Sequence, residues 1–141
     1  LGICNGFQIL GEARLLPGAL VRNAELRYVC QDVRIAVDDP GQMRSELAPG
    51  RELVMPVKHG EGAYIPDPEH KPRVAFRYVG GNPNGSTDDI AGVVNDAGNV
   101  LGLMPHPEHA VDPLAGSTDG ALILRSLVDA ARGTRAEMLV A

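Results

Sequence analysis

Leu1-Gly2-Ile3-Cys4-Asn5-Gly6-Phe7-Gln8-Ile9-Leu10 opens the chain. The first three residues read as the end of a strand, and Gly2 and Gly6 bracket a cysteine in a tight turn. Phe7, Ile9 and Leu10 then recur among Gln8, Glu12 and Arg14 at the spacing of a short amphipathic helix. A nucleophile on a sharp strand-to-helix turn needs small neighbours, because the backbone folds back on itself there. Such an elbow would set the Cys4 sulfur above the helix N-terminus, where unpaired N–H groups and the helix dipole favour thiolate over thiol. The N–H of Asn5 would then point at an oxyanion on an attacked carbonyl. A buried thiol in a glycine-rich turn has the same local sequence, so the pentapeptide alone leaves both readings open. A strand averages about 5–6 residues, and three precede Cys4. The chain is therefore expected to be the C-terminal part of a longer protein.

Working outward, Leu16-Pro17-Gly18 stops the first helix. Residues 25–37 alternate as a strand, with a slip expected near Asp32. Residues 53–57 read as a second strand leading into a His59-Gly60-Glu61-Gly62 loop, and 64–72, with three prolines, as further loop. Residues 73–79 alternate again, with Val74, Phe76 and Tyr78 on one face, before a turn-rich loop over 80–86. Two strands are expected at 90–95 and 100–104, joined through Gly98, and a helix at 117–131 capped by Ser117 or Thr118. Residues after Gly133 are expected to fray. With strands in the middle and helices at both ends, the fold expected is α/β or α+β, one mixed sheet with helical cover.

The composition narrows the function classes. The chain has 141 residues, one domain's worth, and 13 Lys+Arg against 18 Asp+Glu leave a net charge of −5. That balance argues against phosphate-backbone binding, and 4% aromatics without Trp argue against stacking of single-stranded nucleic acid. No apolar run approaches the roughly 20 residues of a bilayer span. Two cysteines without a charged leader do not make a disulfide scaffold. A soluble, cytoplasmic protein is expected, with no nucleic-acid and no membrane partner.

Cys30 lies mid-strand with no glycine turn beside it and reads as an inert core thiol. Met104-Pro105-His106-Pro107-Glu108-His109 is different. Its prolines hold the chain extended, and in an extended chain His106 and Glu108 project to one side. A carboxylate there orients an imidazole and makes it a better base towards a thiol. Cys4, His106 and Glu108 thus have the composition of a catalytic triad, although a proline-rich surface loop would carry the same residues. A metal site of His106, Glu108 and His109, with His59 or His70 as further ligands, competes, but the prolines oppose the helix of a zinc motif. The loops at 59–62 and 82–86 have glycines that permit close approach of a ligand, and so do many solvated turns.

Taken together, these segments resemble the class I glutamine amidotransferases, most closely the family of glutaminase subunits of phosphoribosylformylglycinamidine synthase. The resemblance rests on the stretch from Leu1 to Leu10, on Leu15-Leu16-Pro17-Gly18-Ala19-Leu20, on residues 56–62, and on Phe76-Arg77-Tyr78-Val79. It continues through residues 82–86, Ile90-Ala91-Gly92, residues 102–108 and Gly116-Ser117-Thr118-Asp119-Gly120. It implies a flavodoxin-like α/β fold lacking its N-terminal strands, with residues 1–141 the C-terminal part of one glutaminase domain.

The resemblance further implies that Cys4 attacks the side-chain amide of glutamine, that His106 moves the proton, and that Glu108 orients His106. Asn5 and Gln8 would help hold the bound glutamine, as would the loop of Asn84, Gly85 and Ser86. No cofactor and no metal is implied in this chain. ATP and Mg would belong to a large synthetase subunit that takes up the ammonia, with a small bridging subunit in some relatives. A free-standing thiol hydrolase of the same fold, or a non-catalytic chain that only docks to the synthetase, are the alternatives. Where relatives often have Arg after the catalytic Glu, this chain has His109, expected to matter little. The family's preceding glycine loop supplies a second oxyanion donor, and loss of one such donor costs about 10²–10³ in rate.

Overall fold

The computed structural model describes the backbone of residues 1–140 and the side chains of residues 1–133. Strand β1 (Gly2–Ile3) runs into helix α1 (Asn5–Glu12), followed by β2 (Ala19–Arg22), β3 (Val29–Val37), β4 (Glu52–His59) and β5 (Glu61–Ile65). After these come β6 (Arg73–Val79), β7 (Ile90–Val94), β8 (Leu101–Leu103) and helix α2 (Gly120–Val140). Six strands form one mixed sheet in the order β1-β8-β7-β6-β3-β4, and β2 and β5 pair as a separate antiparallel ribbon. Only β1 and β8 run parallel; the other pairings of the large sheet are antiparallel. The expected mixed sheet, with helices towards the two ends of the chain, is therefore observed, and the β2–β5 ribbon is added to it.

Alternation explains which faces are buried. Leu53, Met55 and Val57 of β4 and Val33, Ile35 and Val37 of β3 turn into one core cluster, which Ile123 of α2 joins. Phe7 of α1, Leu16, Tyr64 of β5, Ile90, Val93 and Met104 form a second cluster, in which the Phe7 and Tyr64 rings stack at 5.9 Å. Strand β7 is buried throughout because it contributes to both clusters, Ala91 and Val94 to the first and Ile90 and Val93 to the second. Helix α1 sits hard against β1. A Cβ on Gly2 would lie 2.5 Å from Leu10 Cδ1 and 2.6 Å from the Gly6 carbonyl oxygen, so only glycine fits there.

Several local expectations change. Strand β2 and the ribbon it makes with β5 are absent from the sequence expectation: within His59–Gly62 only Gly60 lies between the strands β4 and β5, and Tyr64 lies inside β5 rather than starting a loop. The slip expected near Asp32 is absent; β3 pairs β4 without interruption from Val29↔His59 to Ala36↔Glu52. The irregularities fall in the β6–β7 and β2–β5 pairings instead. Cys30 is exposed, not core. Without that slip Cys30 falls on the face opposite Val33, Ile35 and Val37, and Leu26 and Tyr28, which precede β3, are exposed as well. Ile9 likewise faces outward, leaving Phe7 as the one buried side chain of α1. Helix α2 begins at Gly120, later than expected, and its backbone continues to Val140 where fraying was expected. No helix among the described residues is long and apolar enough to cross a membrane.

Candidate active site

Cys4 joins β1 to α1 with φ 50° and ψ −107°, a backbone conformation that a non-glycine residue holds only under constraint. The constraint is visible on both sides. Its N–H donates to the Leu103 carbonyl of β8 at 2.8 Å, and its own carbonyl accepts the N–H groups of Phe7 at 3.0 Å and Gln8 at 3.2 Å. The parallel β1–β8 pairing and the first turn of α1 thus pin the elbow between them. The N–H groups of Asn5 and Gly6 precede any intrahelical acceptor and find none among the described residues. They are available to an anion at the mouth of the helix. A Cβ on Gly6 would meet nothing, so the small residue that packing requires here is Gly2. The Cys4 thiol points towards the carbonyl of Lys58 in β4, at 3.8 Å.

His106 reaches the same place from the other end of the chain. After β8 the backbone passes Pro105, and the His106 N–H donates to the Pro56 carbonyl of β4 at 2.8 Å. Residues Pro107–His109 then turn as a short 3-10 helix. His106 and Glu108 therefore meet across a turn rather than along an extended strand, and a Cβ on Gly120 of α2 would overlap the Pro107 carbonyl beneath it. His106 Nδ1 donates to Glu108 Oε1 at 2.6 Å, which leaves the lone pair of the neutral ring on Nε2. Nε2 is buried and has no hydrogen-bond partner among the described residues. The Cys4 side chain is the main influence that holds the His106 pKa above its usual value; burial opposes this, and Glu108 adds to it.

The other residues singled out from the sequence have different surroundings. Gln8 Nε2 donates to the Glu61 carbonyl at 2.8 Å, tying α1 to the start of β5. Asn84 and Ser86 are buried. Asn84 Nδ2 donates to the Gly62 carbonyl at 2.8 Å, and its Oδ1 accepts the Ser86 hydroxyl at 2.8 Å. Ser86 Oγ in turn accepts the Tyr64 N–H at 3.0 Å. Gly85, at φ 83°, donates its N–H to Asn82 Oδ1 at 2.8 Å. These side chains hold the 82–86 loop to β5 and the tight turn before it.

His59 lies in the same network, buried between Asn23 Oδ1 at 3.1 Å and Asn84 Nδ2 at 3.4 Å. Burial pushes its pKa down. A cleft of about 740 Å³ opens along α1 and is lined by Gln8, Tyr64, His70 and Asp96 among others, but by neither Cys4 nor His106. The bonding geometry at Cys4 and His106 locates the chemistry better than cleft size does.

Ligand atoms of His106, Glu108 and His109 all lie within 4.8 Å of one another, so these three could hold a metal ion. His59, enclosed by amides, and His70, 3.4 Å from Asp96, do not belong to that group. Two residues beside the site escaped the sequence reading. Lys58 is a cation that follows five apolar residues, 53–57, of β4, a signal that was present. Asn23, which donates to the carbonyls of Arg27 at 2.8 Å and His59 at 2.9 Å, carries no local signal at all.

The model of the CobB/CobQ-like glutamine amidotransferase domain matches residues 1–121. Phosphoribosylformylglycinamidine synthase subunit PurQ of Frankia casuarinae is 53% identical over 91% of this chain and 58% of its own length. PurQ of Rubrobacter xylanophilus is 53% identical over 94% of this chain and 63% of its own. The chain thus spans about three fifths of these curated relatives. A chain of the Thermotoga maritima PurLQS structure superposes with a TM-score of 0.84 at 41% identity, covering 90% of this chain and 59% of that one. A further glutamine amidotransferase from Thermotoga maritima, 18% identical with a TM-score of 0.60 over 90% of this chain and 59% of that one, shares the fold.

Proposed function

Because the chain belongs to the CobB/CobQ-like glutamine amidotransferase domain family, we propose that it is the catalytic part of the glutaminase of a phosphoribosylformylglycinamidine synthase. Cys4 is the nucleophile. Its sulfur bonds to the side-chain carbonyl carbon of glutamine as the thiol proton passes to His106 Nε2. His106 then returns that proton to the departing nitrogen as the C–N bond breaks, leaving ammonia and a γ-glutamyl thioester. Water then adds to the thioester carbonyl as His106 takes its proton, and the C–S bond breaks as His106 returns that proton to the Cys4 sulfur, releasing glutamate and the free thiol. Glu108 keeps Nδ1 protonated and stabilises the imidazolium at each stage. The Asn5 N–H stabilises the tetrahedral oxyanion.

Gln8 and the 82–86 loop shape the glutamine pocket, the loop through the β4–β5 turn it supports. The ammonia passes to a synthetase partner that uses ATP and Mg; no cofactor belongs to this chain. Such a glutaminase works in the cytoplasm. The observation that carries the reading is Nε2 of His106, buried and without a hydrogen-bond partner among the described residues, on a ring whose pKa is raised chiefly by Cys4 and whose Nδ1 is committed to Glu108.

The test is alkylation by a chloroketone analogue of glutamine, with peptide mapping, in the presence and absence of glutamine. Labelling at Cys4 that glutamine suppresses is expected, with Cys30 labelled slowly and without protection. Absence of label at Cys4, or equal and unprotected label on both cysteines, refutes the proposal.

A further inference from the structure

His109 and Lys58 lie beside the triad and have no part in the scheme above. Lys58 Nζ is 2.9 Å from His109 Nδ1. An ammonium has three donors and no lone pair, so Nδ1 must be the acceptor, and the proton of the neutral His109 ring sits on Nε2. That Nε2 lies 4.0 Å from Glu108 Oε1, the oxygen that takes the His106 Nδ1 proton at 2.6 Å. The His109 and His106 rings are stacked, with centroids 5.2 Å apart and planes within 6°. The His109 N–H also donates to the His106 carbonyl at 3.2 Å. Lys58 reaches the other member of the triad through its backbone, its carbonyl being the group 3.8 Å from Cys4 Sγ.

We propose that Lys58 and His109 form a positioning pair that sets the His106–Glu108 couple for proton transfer, an inference that rests on the glutaminase function above. The ammonium fixes the ring orientation of His109 by claiming Nδ1. The oriented ring does two things. It lays a neutral face on His106, which a second protonated imidazole could not do once His106 holds the thiol proton. It also turns an N–H towards Glu108, so that the carboxylate keeps one oxygen aimed at His106. In this chain the residue after Glu108 thus completes the triad's support together with a cation from β4. Because Lys58 and His109 are partly exposed, their contact adds little to stability, and its effect is on geometry.

The experiment compares the wild-type chain with Lys58→Met and Lys58→Arg, using glutamine chloroketone to separate the inactivation rate at Cys4 from the affinity for the probe. Lys58→Met is expected to slow the inactivation step about tenfold, in the range that small misplacement of a reacting group produces. The probe's affinity and the thermal midpoint should stay unchanged. Lys58→Arg, which keeps a cationic donor, is expected to recover most of the loss. Ring ¹⁵N shifts give a readout that a merely structural contact would not move: His109 should carry its proton on Nε2 in the wild type and lose that preference in Lys58→Met.

An unaltered inactivation rate in Lys58→Met, or a wild-type His109 protonated on Nδ1, overturns the pair. A wild-type chain that never labels at Cys4 instead refutes the glutaminase reading, and the ¹⁵N shifts then decide by themselves whether the pair exists.

Discussion

Replacing Asn84 by Leu, similar in size but unable to hydrogen-bond, removes the centre of the network behind the site. Asn84 Nδ2 donates to the Gly62 carbonyl at 2.8 Å and to the Tyr78 hydroxyl at 3.2 Å, with His59 Nε2 at 3.4 Å. Its Oδ1 accepts the Ser86 N–H at 3.1 Å and the Ser86 hydroxyl at 2.8 Å. Some of these partners have alternatives. The Ser86 N–H can still reach Asn82 Oδ1 at 3.2 Å, and Ser86 Oγ can still reach the Gly62 carbonyl at 3.4 Å. His59 Nε2 loses its only hydrogen-bond partner among the described residues, and the Gly62 carbonyl loses its short bond. Buried bonds contribute about 1 kcal/mol net each, and a buried group left without a partner costs about 1–3 kcal/mol, so the loss is about 3–5 kcal/mol. Against a total stability of about 5–15 kcal/mol that is a large fraction.

In urea, with a slope of about 2 kcal/mol per molar, the unfolding midpoint should fall by about 2 M. A fall of less than about 0.5 M with the slope unchanged would sink the argument. If Asn84 instead touched glutamine directly, Asn84→Leu would keep its midpoint and lose affinity for the glutamine chloroketone.

Gly120→Ala puts a methyl group into the Pro107 carbonyl and should destabilise the chain by about 1–3 kcal/mol, while slowing Cys4 alkylation because the His106 turn moves with Pro107; an unchanged melting curve would show that α2 does not brace this turn. Glu108→Gln removes one cause of the raised His106 pKa while leaving Cys4, so an NMR titration should find His106 lower than in the wild type; an unmoved titration would mean the 2.6 Å contact is electrostatically silent. His106 and His59 should bend the pH–stability curve in opposite directions. The raised His106 contributes stability that is present below its unfolded pKa of about 6.5 and lost as pH rises through the folded value. The depressed His59 contributes stability present above about 6.5 and lost as pH falls towards its folded value. His59→Gln, which can still donate to Asn23 and accept from Asn84, should therefore lose less stability than wild type between pH 7 and 5 in urea titrations; an equal loss would assign the acid sensitivity elsewhere. Cys30→Ser should leave Cys4 labelling untouched, since Cys30 is an exposed residue on β3; a parallel loss would mean the two thiols had been confused.

What the amino-acid sequence determined by itself was local. The Gly2-Ile3-Cys4-Asn5-Gly6 turn, the existence of strands at 53–57 and 73–79, and the candidacy of His106 and Glu108 were legible because turn chemistry and strand composition act within a few residues; the one face expected of Val74, Phe76 and Tyr78 was not, because the β6–β7 pairing shifts register between them. The tertiary structure decided which of those residues face each other. Parallel pairing of β1 with β8 aligns Ile3 with Leu103, so the elbow of Cys4 stands beside the segment that carries His106. No periodicity could have told that. Cys30 and Val33 sit on one strand, yet the first is exposed and the second buried: β3 pairs β4 without a slip, so residues three apart point to opposite faces, and the face that carries Val33 is the one packed into the core. The β2–β5 ribbon was invisible for a related reason: four residues after Pro17-Gly18 have too little pattern to read as a strand until Tyr64 and its neighbours supply the partner. Asn84 and Ser86 were noticed as polar loop residues, but their work inside the wall of the site follows from burial against Gly62, Tyr64 and His59. Short-range preferences are written in the chain; the partners that satisfy buried polar groups come from elements far away in sequence and exist only once the sheet has assembled.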